Sequence, residues 1–187
     1  MSVRYTDRRM PKVAVLIADG FEEIEALATV DILRRAGITV NTMGLTGNLV
    51  TSRSGVRLYA DARLIDTDAS GYDAIVLPGG SQSVDTIARH QSALRMIEDF
   101  AKRGKLVAAI CAAPKILAQQ GLLRDKRATA YPGLEKLLDR PRNDKVVVDG
   151  NIITSQGPGT AIDFALSIVE QLAGKAAAAR VRQEIVA

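Results

Sequence analysis

The chain has 187 residues, 47% of them hydrophobic, enough to build one sizeable core and to favour a single domain. Its net charge is +4, but Arg4, Arg8 and Arg9 against Asp7 account for half of it, and without Trp and with 4% aromatics nucleic acid is not expected as a specific partner. One cysteine excludes an internal disulfide framework and fits a reducing cytosol, and no apolar run approaches the length of a membrane span.

Residues Met1–Met10 are polar and lack the apolar stretch of a signal peptide. They are expected to be a disordered N-terminal extension, with a single domain over 11–187 and a cytoplasmic location. Lys12–Ala18 (KVAVLIA) is a continuous apolar run, as in a strand covered on both faces. Asp19-Gly20 breaks it. From Phe21 to Ala36 the apolar residues recur at helical spacing, and Gly37 ends the helix. Ile38–Leu45 is a second strand, completing a βαβ unit. Leu49–Asp61, with Ser52-Arg53-Ser54-Gly55 at its centre, reads as a hairpin excursion. Asp73–Leu77 (DAIVL) is another buried strand, closed by Pro78-Gly79-Gly80, and one or two helices follow across Gln82–Arg103.

Lys105–Ile110 predicts a buried strand that runs into Cys111-Ala112-Ala113-Pro114 and then a helix to Gly121. Strand, abrupt turn and helix reproduce the layout of a nucleophile elbow, with Cys in the place of Ser. A short strand at Arg127–Ala130 and a short helix at Leu134–Leu138 come next. Val146–Val148 and Ile152–Thr154 flank Asp149-Gly150, a strong hairpin signal. Helices over Ala161–Leu172 and Lys175–Val186 finish the chain. Alternating strands and helices imply a doubly wound α/β sandwich, mostly parallel, whose sites form beyond the carboxyl ends of the strands.

Three strand ends carry chemistry. A lone cysteine is most often a small buried hydrophobe, but the turn before Ala112-Ala113-Pro114 reverses that reading for Cys111. Helix amides there favour a thiolate. Gly79-Gly80 can be a tight turn and no more. In register with Cys111, however, the bare backbone presents N–H groups that pair with the amide of Ala112 as an oxyanion hole. Glu22 and Glu23 are assigned to a solvated first turn. Glu25 falls near the apolar stripe of its helix, so it is expected to point inward, stay protonated beside the sulfur and carry protons. His90, the only histidine, is expected to be exposed, which makes a Cys–His–acid triad improbable. No metal-ligand spacing and no dinucleotide or phosphate-loop motif is present, so neither metal nor cofactor is expected.

The stretches ADGFEEIEA (Ala18–Ala26), RRAGI (Arg34–Ile38), VLPGG (Val76–Gly80), AICAAP (Ala109–Pro114) and TSQGPGTAIDFAL (Thr154–Leu166) resemble the ThiJ/PfpI superfamily. The resemblance is to the branch that contains the Parkinsonism-associated protein deglycase and its bacterial relatives. It implies a flavodoxin-like, class I glutamine amidotransferase-like sandwich, and a homodimer to which the helix from Phe21 contributes. It assigns Cys111 as reactive nucleophile, Glu25 as its carboxylic partner, Gly80 and Ala112 as amide donors, and Arg35 as an arginine near the site. Gly79, Tyr131, Arg53 and Pro158 join as lining residues. Tyr131-Pro132 stands where the animal branch has His-Pro, and Ala112 where the protease-like branch has histidine, which argues against a peptidase. The activity implied is cofactor-free conversion of reactive dicarbonyls, or of their adducts with amines and thiols. The alternative is a non-enzymatic oxidative-stress sensor or redox-regulated chaperone working through oxidation of Cys111.

Overall fold

The computed structural model describes residues 9–187. β1 (Lys12–Ile17) leads through α1 (Glu23–Arg35) to β2 (Thr39–Gly44), and a hairpin of β3 (Leu49–Thr51) and β4 (Arg57–Tyr59) follows. Then come β5 (Ala62–Arg63), β6 (Ala74–Leu77), α2 (Ser81–Ile87), α3 (Gln91–Lys102), β7 (Leu106–Ile110) and α4 (Pro114–Gln119). The last third holds β8 (Arg127–Ala128), β9 (Arg140–Pro141), β10 (Val146–Asp149), β11 (Ile152–Ser155), α5 (Ala161–Ala173) and α6 (Lys175–Glu184). Seven strands form one sheet in the order β10-β11-β7-β6-β1-β2-β5. All its pairings are parallel except the β10–β11 hairpin at the edge. The chain runs outward from β1 through β2 to β5, then returns to β6 on the other side of β1. That reversal places a topological switch point between the carboxyl ends of β1 and β6, the usual seat of a site in this architecture.

Period-two alternation along β1 divides the core. Val13, Val15 and Ile17 pack with Leu33, Phe164 and Ile168 on the face covered by α1 and α5. Ala14 and Leu16 pack with Ile75, Ile97, Phe100 and Ile116 on the face covered by α3 and α4. Burial on both faces is why these strands read as unbroken apolar runs. Each large side chain so buried contributes about 1.5–3 kcal/mol.

Several expectations are corrected at element ends. α1 starts at Glu23, not Phe21, because Glu22 is extended and its carboxylate accepts from the Glu25 N–H at 2.8 Å as the helix cap. Glu22 is therefore buried rather than solvated, and Phe21 instead bridges to Ser52 of the hairpin. His90 is half-buried, not exposed, since its Nδ1 caps α3 by accepting from the Ala93 N–H at 3.3 Å. The helix expected at 134–138 is a single 3-10 turn, Glu135–Leu137. Of the expected N-terminal extension, residues 1–8 lie outside the described residues. Arg9 donates to the Gly71 carbonyl and the Asp73 carboxylate at 2.9 Å each, and Met10 Cε lies against Gly37.

Candidate active site

Cys111 follows β7 directly and has φ +64°, a left-handed conformation that non-glycine residues rarely adopt and that marks strained functional turns. Both of its backbone groups are tied down. Its N–H donates to the Ser155 carbonyl at 3.0 Å, and its carbonyl accepts from the Tyr131 N–H at 2.8 Å. The elbow expected from the strand–turn–helix layout is therefore present, with β11 on one side and the Tyr131 loop on the other.

Glu25, in the first turn of α1, is fully buried and turned inward. Its Oε2 accepts from the Gly79 N–H at 2.6 Å, while Oε1 is buried with no hydrogen-bond partner. Gly79 is the reason sulfur and carboxyl can meet. A Cβ there would stand 2.6 Å from Cys111 Cβ, 2.7 Å from Glu25 Oε2 and 3.0 Å from Cys111 Sγ. Gly80 has φ +93° and lies so close to the Asp19-Gly20 turn that a Cβ would be 2.1 Å from the Gly20 carbonyl oxygen. The backbone amides of Ala112 and Gly80 lie where they pull the thiol pKa down. The structure thus brings together Cys111, Glu25, Gly79, Gly80 and Ala112.

The electrostatics correct one expectation. Burial raises the Glu25 carboxyl to about 7, against the pull of the Gly79 amide and with a push from the Glu22 charge. At that value the carboxyl keeps its proton in mildly acidic solution and shares it near neutral pH. The Cys111 thiol, however, is raised to about 12, not lowered. Burial is the main cause and the neighbouring Glu25 charge the next, and together they outweigh the amides of Ala112 and Gly80. α4 has only six residues, so its end offers little field to set against them. The two groups titrate as a pair: the first ionisation puts one charge between them, and the second is resisted by that charge.

This pairing predicts a pH-dependent stability. Between 4.5 and about 7 the folded chain holds the Glu25 proton while the unfolded chain releases it, so stability falls as pH rises through that window. Complete ionisation costs the folded state roughly 3 kcal/mol. Glu25→Gln, which keeps an acceptor for Gly79 and cannot ionise, is expected to melt roughly 6–12 °C above the wild type at pH 8.5 and level with it at pH 4.5. A gap of equal size at both pH values would refute the assignment.

A cavity of about 650 Å³ opens over the sulfur, lined by Cys111, Ala112, Gly80, Arg53, Tyr131 and neighbours in the 81–82 and 132–134 segments. Arg53 reaches it because the hairpin is stapled to the β1–α1 turn. The Gly20 N–H donates to Thr51 O at 2.8 Å, the Arg53 N–H donates to Phe21 O at 2.9 Å, and Ser54 Oγ donates to Glu23. Glu23 is therefore a hairpin anchor rather than a free surface carboxylate. Two proposed site residues lie elsewhere. Arg35 is in the last turn of α1, ten residues and about 15 Å along the helix from Glu25. There it pairs with Asp31 at 2.7 Å and Glu184 at 2.8 Å. Pro158 opens the turn before α5 and is not on the cavity wall; its neighbour Gly157 meets the Tyr131 ring instead. Ser81, Gln82, Pro132, Gly133 and Leu134 line the cavity without having been singled out in the sequence. Glu22 had a legible signal, since an acceptor three residues before Glu25 is the spacing of a helix N-cap. Among the described residues no group of three or more His, Cys, Asp or Glu is gathered to hold a metal.

A family model described as the DJ-1/PfpI family matches residues 11–171. The chain belongs to that family. A glutathione-independent glyoxalase of Caenorhabditis elegans, DJR-1.2, is 35% identical over 156 residues, covering 82% of this chain and 83% of that protein. The crystal structure of Drosophila melanogaster DJ-1beta superposes with a TM-score of 0.91 at 37% identity, covering 95% of this chain and 98% of that one. DJ-1 homolog B of Arabidopsis thaliana is 42% identical over 170 residues, 88% of this chain, which spans 39% of that plant protein's length. The flavodoxin-like α/β fold is thus shared with DJ-1 proteins along nearly the whole chain. No helix of the described residues is long and apolar enough to cross a membrane.

Proposed function

We propose that this DJ-1-type protein converts reactive 2-oxoaldehydes such as methylglyoxal, or their adducts with amines and thiols, to 2-hydroxy acids without a cofactor. The observation that carries the reading is the buried Glu25 carboxyl, one oxygen on Gly79 and the other unpartnered, beside a cysteine in a strained turn. Similarity to a protein described as a glutathione-independent glyoxalase supports it.

The chemistry is then a series of proton moves around one C–S bond. As the sulfur adds to the aldehyde carbon, the thiol proton passes to Glu25. The carbonyl electron pair moves to oxygen, where the Gly80 and Ala112 amides donate to it. Glu25 returns the proton to that oxygen, giving a hemithioacetal. As carboxylate it then removes the proton from the same carbon, leaving an enediolate; the hydroxyl proton shifts from the first oxygen to the neighbouring one, and Glu25 delivers its proton to the former ketone carbon. The product is a thioester of the 2-hydroxy acid. Water adds to it, the C–S bond breaks, and the thiol regains its proton. The net reaction is addition of one water to the 2-oxoaldehyde. With an amine adduct as substrate, the C–N bond breaks and the repaired amine leaves with a proton. Histidine has no part, since His90 is committed to capping α3.

Turnover requires the pair to have lost one proton, so kcat/KM for methylglyoxal is expected to rise with pH and level off above about 7, where Glu25 titrates. Lactate formation followed across a pH series checks this. Glu25→Gln is expected to lose roughly 10²–10⁴-fold together with the inflection near 7. If the wild type forms no lactate while peroxide adds oxygen to Cys111 readily by intact mass, the redox-sensor reading replaces this one. The same reading includes a homodimer through α1, supported by the apolar Ile24 and Leu27, 55% and 39% exposed on that helix, and places the protein in the cytoplasm.

A further inference from the structure

The cavity over Cys111 is far larger than a three-carbon dicarbonyl needs. At about 650 Å³ it lies in the range that takes drug-sized molecules. Part of its lining is apolar and comes from one segment, Tyr131, Pro132 and Leu134. The polar lining, Arg53, Ser81 and Gln82, comes from others.

Tyr131 is held in two ways. Its N–H donates to the carbonyl of Cys111 at 2.8 Å, so the ring leaves the backbone at a point tied to the sulfur-bearing residue. The Cδ2–Cε2 edge of the ring faces Gly157, where a methyl group would stand 3.4 Å from Cδ2 and 3.7 Å from Cε2, in ordinary van der Waals contact. Tied at its root and with one edge turned toward Gly157, Tyr131 is 50% exposed. An aromatic ring fixed on one side and open on another is a stacking surface, and the apolar atoms of Pro132 and Leu134 extend it.

We propose that Tyr131 is a specificity-determining residue, selecting 2-oxo substrates whose ketone carbon, next to the aldehyde or carboxylate carbon, carries an aromatic substituent. That substituent stacks on the Tyr131 ring and runs along Pro132 and Leu134, while the aldehyde or carboxylate carbon meets the sulfur. For its chemistry the inference rests on the dicarbonyl reading above; for binding it rests on the cavity alone.

Two measurements keep these apart. The first is protection of Cys111 from iodoacetamide by phenylglyoxylate against protection by pyruvate, two 2-oxo acids that differ only in the substituent. Half-protection of the wild type is expected at about tenfold lower phenylglyoxylate than pyruvate. Tyr131→Ala is expected to erase that preference and Tyr131→Phe to keep it. The second is the ratio of initial-rate kcat/KM for phenylglyoxal over methylglyoxal, expected to fall about tenfold in Tyr131→Ala and to persist in Tyr131→Phe. A residue that merely supports the fold would depress both substrates together and leave both ratios in place. Ratios unchanged within twofold in Tyr131→Ala overturn the proposal. A protection ratio that depends on Tyr131 in a protein that turns over neither aldehyde overturns the dicarbonyl reading and leaves the stacking wall standing.

Discussion

Cys111→Ser is expected to lower methylglyoxal turnover at least a thousandfold, about 4 kcal/mol of transition-state stabilisation. The substitution is close to isosteric, and the contacts that hold the turn, to Ser155 and from Tyr131, are made by the backbone of residue 111. Fold and melting temperature should therefore be nearly unaltered. What changes is the acidity of the nucleophile. A carboxyl that titrates at about 7 is matched to accept a proton from a thiol as C–S bond formation proceeds, but not from an alcohol, which is many orders of magnitude less acidic and less nucleophilic. The measurement is lactate formation by chiral chromatography, with a thermal melt on the same sample. Residual activity within tenfold of the wild type would show that the sulfur does not form the covalent intermediate and would end the mechanism above.

The second large effect separates two adjacent glycines. Gly80→Ala is expected to destabilise the protein by roughly 3 kcal/mol or more, because the new methyl meets the Gly20 carbonyl oxygen at 2.1 Å and the backbone is at φ +93°. For a chain of this size that is a fall in melting temperature of roughly 6–12 °C. Gly79→Ala meets side-chain atoms of Cys111 and Glu25 and no left-handed backbone. The methyl forces the sulfur and the carboxyl apart, and activity is expected to drop about a hundredfold or more, since displacements near 1 Å cost that much. Its melting temperature should fall by less than that of Gly80→Ala. Parallel melts and turnover assays of the two variants decide the matter. Equal destabilisation with equal loss of activity would mean that both glycines serve only the turn.

Much of this was legible in the chain. The apolar runs at 12–18, 73–77 and 105–110 announced strands covered on both faces, and helical spacing between them announced the crossovers. Cys111 at the end of such a run, followed by small residues and a proline, is recognisable as an elbow from residue order alone. Glu25 was separable from Glu22 and Glu23 because it lies near the apolar stripe of its helix. The elements missed are short ones. β5 and β9 have two residues each, and their pairing depends on a neighbouring strand rather than on any pattern of their own. Glu22 was misread for a related reason. A carboxylate near a helix start is favourable in water or in a cap, and only the chain path shows which applies.

Arg35 and the thiol mark the boundary between the two kinds of knowledge. Alternation of strand and helix determined the architecture, and the order of residue types along it determined which strand ends carry a cysteine, a glutamate and a bare backbone. Those are local properties, set by periodicity and by what each side chain can do. Distances across the sheet are not local. That Arg35 answers Asp31 and Glu184 instead of the site, that Gly157 and not Pro158 meets Tyr131, and that Glu25 stands against Cys111 all depend on how separate segments pack. The charge of the sulfur belongs to the same class. A helix end alone argues for a thiolate, but burial and a neighbouring carboxyl reverse the sign, because the cost of removing a charge from water is set by everything that surrounds it.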